Sequence, residues 1–243
     1  MNNTIKELIE RQSIRIFTNE PITVKDKNEI IEATVNAPTA GNMQLYSIID
    51  VTDQELKNKL SILCDNQPFI SKAEMILIFC ADYQKWYDAF SNLDLSPRHP
   101  DTGDLLLAIE DTLIAAQNSV TAAYSLNIGS CYIGDIMENC EEITNIFKLP
   151  PYVYPACMVV YGHIDENHKQ ISKPKRFDNK YVVFNNEYKH LNKEELKEMF
   201  NDRTLPKGYG EWMKAFMLRK YNSDFSIEMS RSANKYLERF NKF

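Results

Sequence analysis

The sequence predicts a mixed α/β protein, either three-layered or α+β. Three runs read as strands by their β-branched and aromatic content: Tyr46–Thr52, Glu74–Ala81 and Tyr154–Tyr161. Helical patterns interleave with them at residues 4–12, 24–36, 54–63, 104–126 and 138–148. The second and third runs are almost continuously apolar, as strands covered on both faces are.

In order along the chain, Thr4-Ile5-Lys6-Glu7 reads as a capping box opening a helix that ends near Gln12, with Leu8 and Ile9 facing inward. Thr23 caps the helix over 24–36, where Ile30, Ile31, Ala33 and Thr34 share a face. Asp53 caps 54–63, with Leu56, Leu60 and Leu63 in register. Residues 104–126 form the longest pattern, Ala-rich and apolar on more than one face. Such a helix is buried on most sides, in its own core or against another subunit. After Lys180 the character changes. Tyr181–Phe184 is a strand candidate with no hairpin partner, and Asn192-Lys193-Glu194-Glu195 caps a helix to about Phe200. Two amphipathic helices follow at 209–219 and 226–242. The reading is therefore a domain over 1–185 and a C-terminal helical extension over 186–243, packed on the core or on a partner subunit.

The 243 residues carry a net charge of −6 and are 44% hydrophobic. That balance argues against a general nucleic-acid or anionic-membrane binder, since both need a basic surface. The five cysteines are odd in number and none sit at CxxC spacing, which argues against a disulfide framework and a zinc site. Cys80 and Cys157 lie in strand runs as small hydrophobes. The four histidines are scattered, so no metal site is expected. Positions 1–30 lack the apolar run of a signal peptide and no run reaches membrane-spanning length, so a cytoplasmic protein is expected.

Three segments carry chemistry. In Arg11-Gln12-Ser13-Ile14-Arg15, the two guanidinium groups and the hydroxyl share one side of an extended chain. That is a grip for a phosphate monoester, although a solvated basic turn is the plainer alternative. In Ala37–Gln44, Pro38 stops the preceding helix, and Thr39, Ala40 and Gly41 let a planar ligand approach the backbone. Asn42 and Gln44 offer amide donors and acceptors. The third segment, Gly129–Gly134, follows the long helix. Gly129 reads as the helix stop and Gly134 as a place where backbone N–H groups meet a ligand, although a simple helix stop followed by a strand is the plainer alternative. GxGxxG and the P-loop lysine are both absent. A further basic stretch, Lys173-Pro174-Lys175-Arg176, is held extended by its proline.

In order and spacing these four segments resemble the nitroreductase family over about residues 1–185: an RxSxR-type segment, a small-residue loop of the PSxxNxQ type, a glycine segment after the central helix, and a basic segment after the last core strand. The resemblance implies an α+β, three-layer α/β/α fold with a mixed, mostly antiparallel sheet flanked by helices. It implies a homodimer with FMN at the interface and NADH or NADPH as donor. Arg11, Ser13 and Arg15 would hold the phosphate, helped by Lys173 and Arg176. Thr39, Ala40, Gly41 and Asn42 would line the ring, and Gln67 would face its pyrimidine edge. Tyr132, Ile133 and Gly134 would cover the other face. The long helix would supply the dimer seam, and Tyr181–Phe184 would add a strand to the partner's sheet. The implied activity is ping-pong hydride transfer from NAD(P)H through FMN to a nitroaromatic, quinone or flavin acceptor, with no catalytic side chain. The alternative is a flavin-storing protein with little turnover, its pocket closed by Tyr209, Trp212 and Phe216.

Overall fold

The computed structural model describes residues 1–93, 95–165, 172–205 and 207–241. The chain divides into two compact units, Met1–Ile171 with Glu228–Phe243, and Ser172–Ile227. The first unit ends earlier than the expected boundary at 185, and it reclaims the last helix. The reason is burial: Tyr236 and Phe240 are each 1% exposed, packed with Leu45, Leu105, Tyr152 and Tyr154.

The first unit is built from α1 (Asn3–Glu10), α2 (Val24–Val35), β1 (Tyr46–Asp50), α3 (Gln54–Leu63), α4 (Pro68–Ser71), β2 (Met75–Asp82), α5 (Gln84–Ser91), α6 (Thr102–Ser125), β3 (Ile128–Ile133), α7 (Cys140–Phe147) and β4 (Val153–His163). The strands form one antiparallel sheet in the order β1-β2-β4-β3. Side chains alternate across it. Met75, Leu77, Phe79, Val159 and Tyr161 pack on Ile30 of α2 and on Ala116, Val120 and Ala123 of α6. Ile76, Ile78, Met158 and Val160 face the other way, onto Leu60, Cys64, Ile70 and Ile143. The result is the expected three-layer α/β/α arrangement. The central strands β2 and β4 are buried on both faces, as their unbroken apolar runs require.

Thr23 and Asp53 cap their helices as expected, accepting from Asp26 N at 3.0 Å and Leu56 N at 2.8 Å. Four local readings are corrected. Asn2, not Thr4, caps α1, accepting from Ile5 N at 3.0 Å. Leu8 and Ile9 do not face inward: they are 49% and 55% exposed, because α1 buries no residue of its own. The stop after α6 is Asn127, left-handed at φ 60°, rather than Gly129. Asparagine tolerates that conformation, which frees Gly129 to enter a fourth strand, β3. Tyr181–Phe184 is not a strand. Asn179–Tyr181 is a 3-10 turn, and Val182 and Val183 are 57% and 64% exposed. A strand needs a neighbouring edge for its backbone, and no strand lies among the described residues of its own unit.

The second unit holds α8 (Lys193–Thr204), α9 (Tyr209–Phe216), a π turn over Met217–Tyr221 and the start of α10 (Asp224–Phe240). Asn192 caps α8 through a full capping box, as expected. Phe177 packs edge-on against Phe200 at 5.2 Å, and the Arg203 guanidinium lies 4.0 Å over the Phe177 ring.

No helix among the described residues is long and apolar enough to cross a membrane. All five cysteines are free and buried. No cluster of potential metal ligands occurs among the described residues.

Candidate cofactor site

Residues 11–18 leave α1 as an extended ribbon laid beside β3 and the end of β4. Ser13 bridges Ser130 in parallel, and Ile14 N donates to Ser130 O at 2.9 Å. Farther on, Thr18 N donates to His163 O at 2.9 Å. Ile14 is 2% exposed, so alternation turns Arg11, Ser13 and Arg15 to the opposite side, as the sequence predicted. Two glycines admit the ribbon. A Cβ on Gly129 would lie 2.7 Å from Ile14 Cγ1, and one on Gly162 would lie 2.8 Å from the Phe17 ring. Gly129→Ala is therefore expected to cost about 1–3 kcal/mol through overpacking and to displace the ribbon. Urea unfolding reads the first effect and FMN titration the second.

All three predicted side chains act electrostatically on one thiol. Burial pushes Cys131 up. Arg15, a hydrogen bond from Ser13, and Arg11 each favour its charged form. Arg11 also carries a signature of its own: Nη1 is buried and has no hydrogen-bond partner among the described residues. A buried guanidinium nitrogen left unpaired is costly, and an anion with free acceptor oxygens removes that cost. Arg11, Ser13 and Arg15 are thus the residues that would hold the phosphate of FMN, with the Arg11 side chain set beside Leu8, Thr121 and Tyr124.

Gln67 joins this cluster. It precedes α4, its backbone carbonyl accepts from Ser61 Oγ at 3.0 Å, and its Nε2 donates to Asp135 Oδ2 at 3.2 Å and Cys64 O at 2.8 Å. Two residues on, the Phe69 ring lies 5.8 Å beneath the Arg15 guanidinium. Asp135 directly follows Gly134, so Gln67 and the Ile133–Gly134 turn share the C-terminal end of β3, and Phe69 links them to Arg15. Ile133 is 1% exposed and points into the core, so Ile133 and Gly134 offer their backbone. The Tyr132 side chain turns toward the α2/α6 layer, where its hydroxyl reaches Gln117 Oε1 at 3.4 Å. Burial raises that phenol.

Thr39–Asn42 sit elsewhere. Their loop runs into β1, at the far edge of the sheet from β3. Three strand spacings, about 14 Å, separate the two edges. Left-handed backbone at Gly41 (φ 55°), Asn42 (φ 57°) and Gln44 (φ 48°) shapes the loop. A residue that sequence reasoning missed holds it: Asp111 of α6, 3% exposed. Its carboxylate accepts from Thr39 Oγ1, from Ala40 N at 2.9 Å and from Leu45 N at 3.2 Å. Thr39 Oγ1 in turn accepts from Gln44 N at 2.8 Å, and Trp86 Nε1 donates to Met43 O at 2.8 Å. The one available signal was the acidic pair Glu110-Asp111 inside a largely apolar helical stretch, which does not say which of the two is buried.

Lys173 and Arg176 belong to the second unit. There Arg176 lines a cavity of about 540 Å³ together with Lys175, Arg203, Arg219, Phe177 and Trp212, and its Nη1 donates to Pro174 O at 3.2 Å.

Comparison with known proteins agrees with this geometry. The nitroreductase family model matches residues 8–163. An FMN reductase [NAD(P)H] of Bacillus subtilis is 32% identical over 242 residues, which is 98% of this chain and 92% of that protein. Among solved structures, the NADPH:FMN oxidoreductase of Vibrio harveyi complexed with NAD+ superposes with a TM-score of 0.82 at 29% identity, covering 97% of this chain and 98% of that one. The NfrA1 nitroreductase of B. subtilis gives 0.82 at 26% identity, covering 99% and 100%. The chain belongs to the nitroreductase family of FMN-dependent NAD(P)H oxidoreductases.

Proposed function

We propose that this protein is a homodimeric FMN enzyme that draws on NAD(P)H to reduce a small acceptor: a nitroaromatic, a quinone or free flavin. The observation that carries the reading is the unpaired, buried Nη1 of Arg11 within the Arg11, Ser13 and Arg15 grip. The redox chemistry, hydride acceptance from the nicotinamide and delivery to the acceptor, belongs to bound FMN. The chain's own residues bind and orient. The grip neutralises phosphate charge, Gln67 meets a polar ring edge, and the Ile133–Gly134 backbone presents N–H groups. No side chain is assigned a proton-transfer role.

Dimerisation is supported by what one chain leaves uncovered. Leu106, Leu107, Leu113 and Ile114 of α6 are 38–55% exposed, and they recur at a seven-residue interval on one face. Ile5, Leu8 and Ile9 of α1 are 47–55% exposed. A second copy would cover these apolar surfaces, give Val182 and Val183 a sheet edge, and bring its own Thr39–Asn42 loop to the grip. Paired Leu107→Glu and Ile114→Glu substitutions are expected to yield a monomer in sedimentation velocity, with loss of bound flavin.

The basic cavity of the second unit supports NADPH over NADH. Lys175 is paired with Asp202 there, and the three arginines around aromatic rings suit a phosphate-bearing adenosine. Arg203→Ala is expected to raise the KM for NADPH about tenfold, from loss of one charge-assisted bond, and to leave the KM for NADH within about twofold.

The deciding experiment is an absorption spectrum of the purified protein before and after anaerobic NADPH or NADH. Flavin bands that bleach within seconds establish the oxidoreductase. Flavin bands that persist favour storage. Failure to take up added FMN overturns the reading.

A further inference from the structure

One buried acid has no part in the function proposed so far. Glu138 follows the 3-10 turn Asp135–Met137 and is 5% exposed. Its Oε1 has no hydrogen-bond partner among the described residues. Its backbone N donates to Asp135 O at 3.0 Å, and residues three apart in a 3-10 turn eclipse, so its carboxyl group lies on the same side as that of Asp135, where two carboxyl groups favour sharing a proton. Asp135 also accepts from Gln67 Nε2. Both bonds of the Gln67 amide to Asp135 and Cys64 are made by its nitrogen, which fixes the amide plane and leaves Oε1 as the end a ligand meets.

We propose that Glu138 is a positioning residue: in its protonated form it bridges to Asp135, and through Asp135 it locks the Gln67 amide toward the cofactor. The proposal rests on the reading of this cluster as an FMN site. It adds an acid pair that couples the hold on the cofactor to pH.

The groups facing Glu138 come from every element packed around it. Asp135 lies on its own turn, Asp65 on the loop after α3, Cys64 at the end of α3 and Glu228 on α10. Burial first, then the Asp135 and Asp65 charges, push Glu138 up to about 7. Glu228 stays ionised, because the Arg231 guanidinium holds it at about 2. Among the described residues, the groups that act on Glu138 are thus acids and a buried thiol, and its proton relieves their repulsion. A raised carboxyl binds its proton more tightly in the folded than in the unfolded chain. Its contribution to stability is accordingly complete below the ordinary glutamate range, falls as pH rises through about 7, and is constant above. Above that pH the pair carries two charges, separates, and frees Gln67. Negative charge arriving on the flavin would hold the same proton more tightly, so reduction would take up extra proton near neutrality.

The test compares wild type with Glu138→Gln, which keeps the shape and an N–H donor for Asp135 but does not titrate. FMN affinity and the two-electron midpoint potential are measured on both from pH 5.5 to 8.5. The wild-type potential is expected to fall more steeply through pH 7, with FMN Kd rising about fivefold relative to the variant, at the low end of typical coupling between linked sites. At pH 6 the two proteins should match. Asp135→Asn gives a second route: with the facing charge removed, the break should move below pH 7. The ligand-free proteins give a third: the stability of wild type relative to Glu138→Gln should fall from pH 5.5 through about pH 7 and level off by pH 8.5. Parallel profiles in all these measurements overturn the role of Glu138 alone. A wild type that binds no FMN overturns the cofactor reading, and this inference with it.

Discussion

Arg11→Met is expected to weaken FMN binding about 10- to 150-fold while leaving the ligand-free protein as stable as wild type or more so. The first half follows from losing a charge-assisted hydrogen bond of about 1.5–3 kcal/mol, at about 1.4 kcal/mol per decade of affinity. The second half follows from the orphaned Nη1: without ligand, that buried nitrogen is a liability, and methionine fills similar space without a charge. Titration with FMN and thermal unfolding without it separate the two effects. A variant that loses stability in the absence of FMN, with unchanged affinity, would make Arg11 a structural residue and remove the main support for the phosphate site.

Asp111→Ala is expected to cost about 3–5 kcal/mol, because it strands two backbone N–H groups and a hydroxyl that have no other acceptor of comparable strength. Asp111→Asn should cost less, since its single carbonyl oxygen retains part of the set while its NH2 opposes the rest. Urea midpoints for the three proteins measure the ladder. A cost below about 1 kcal/mol for Asp111→Ala would mean that the Trp86–Met43 bond holds the loop unaided. The stability loss should be accompanied by loss of bound FMN, since the loop that Asp111 anchors is the one expected to line the ring.

Much of the fold was legible. The three strand runs, the long central helix and the caps at Thr23, Asp53 and Asn192 stand where local pattern put them. Each is a short-range property, set by periodicity or by one side chain reaching a backbone N–H three residues away. The fourth strand was legible only as the plainer alternative for its segment, a strand after a helix stop, and it starts at Ile128, before the supposed stop. Gly129 has another use: it lets Ile14 of the Arg11–Arg15 ribbon lie against the sheet edge.

The sequence by itself determined the layers, the alternation that presents Arg11, Ser13 and Arg15 together, and the family. Only the tertiary structure decided which polar groups support the site. Asp111 meets its partners about 70 residues away in the chain, and Gln67 meets Asp135 at a similar separation. It also decided that the Thr39–Asn42 loop and the grip lie at opposite sheet edges. The physical reason is common to all of these. Propensity and periodicity act between near neighbours in sequence, whereas the burial of a carboxylate or an orphaned guanidinium is fixed by chain segments that approach only after the sheet has formed.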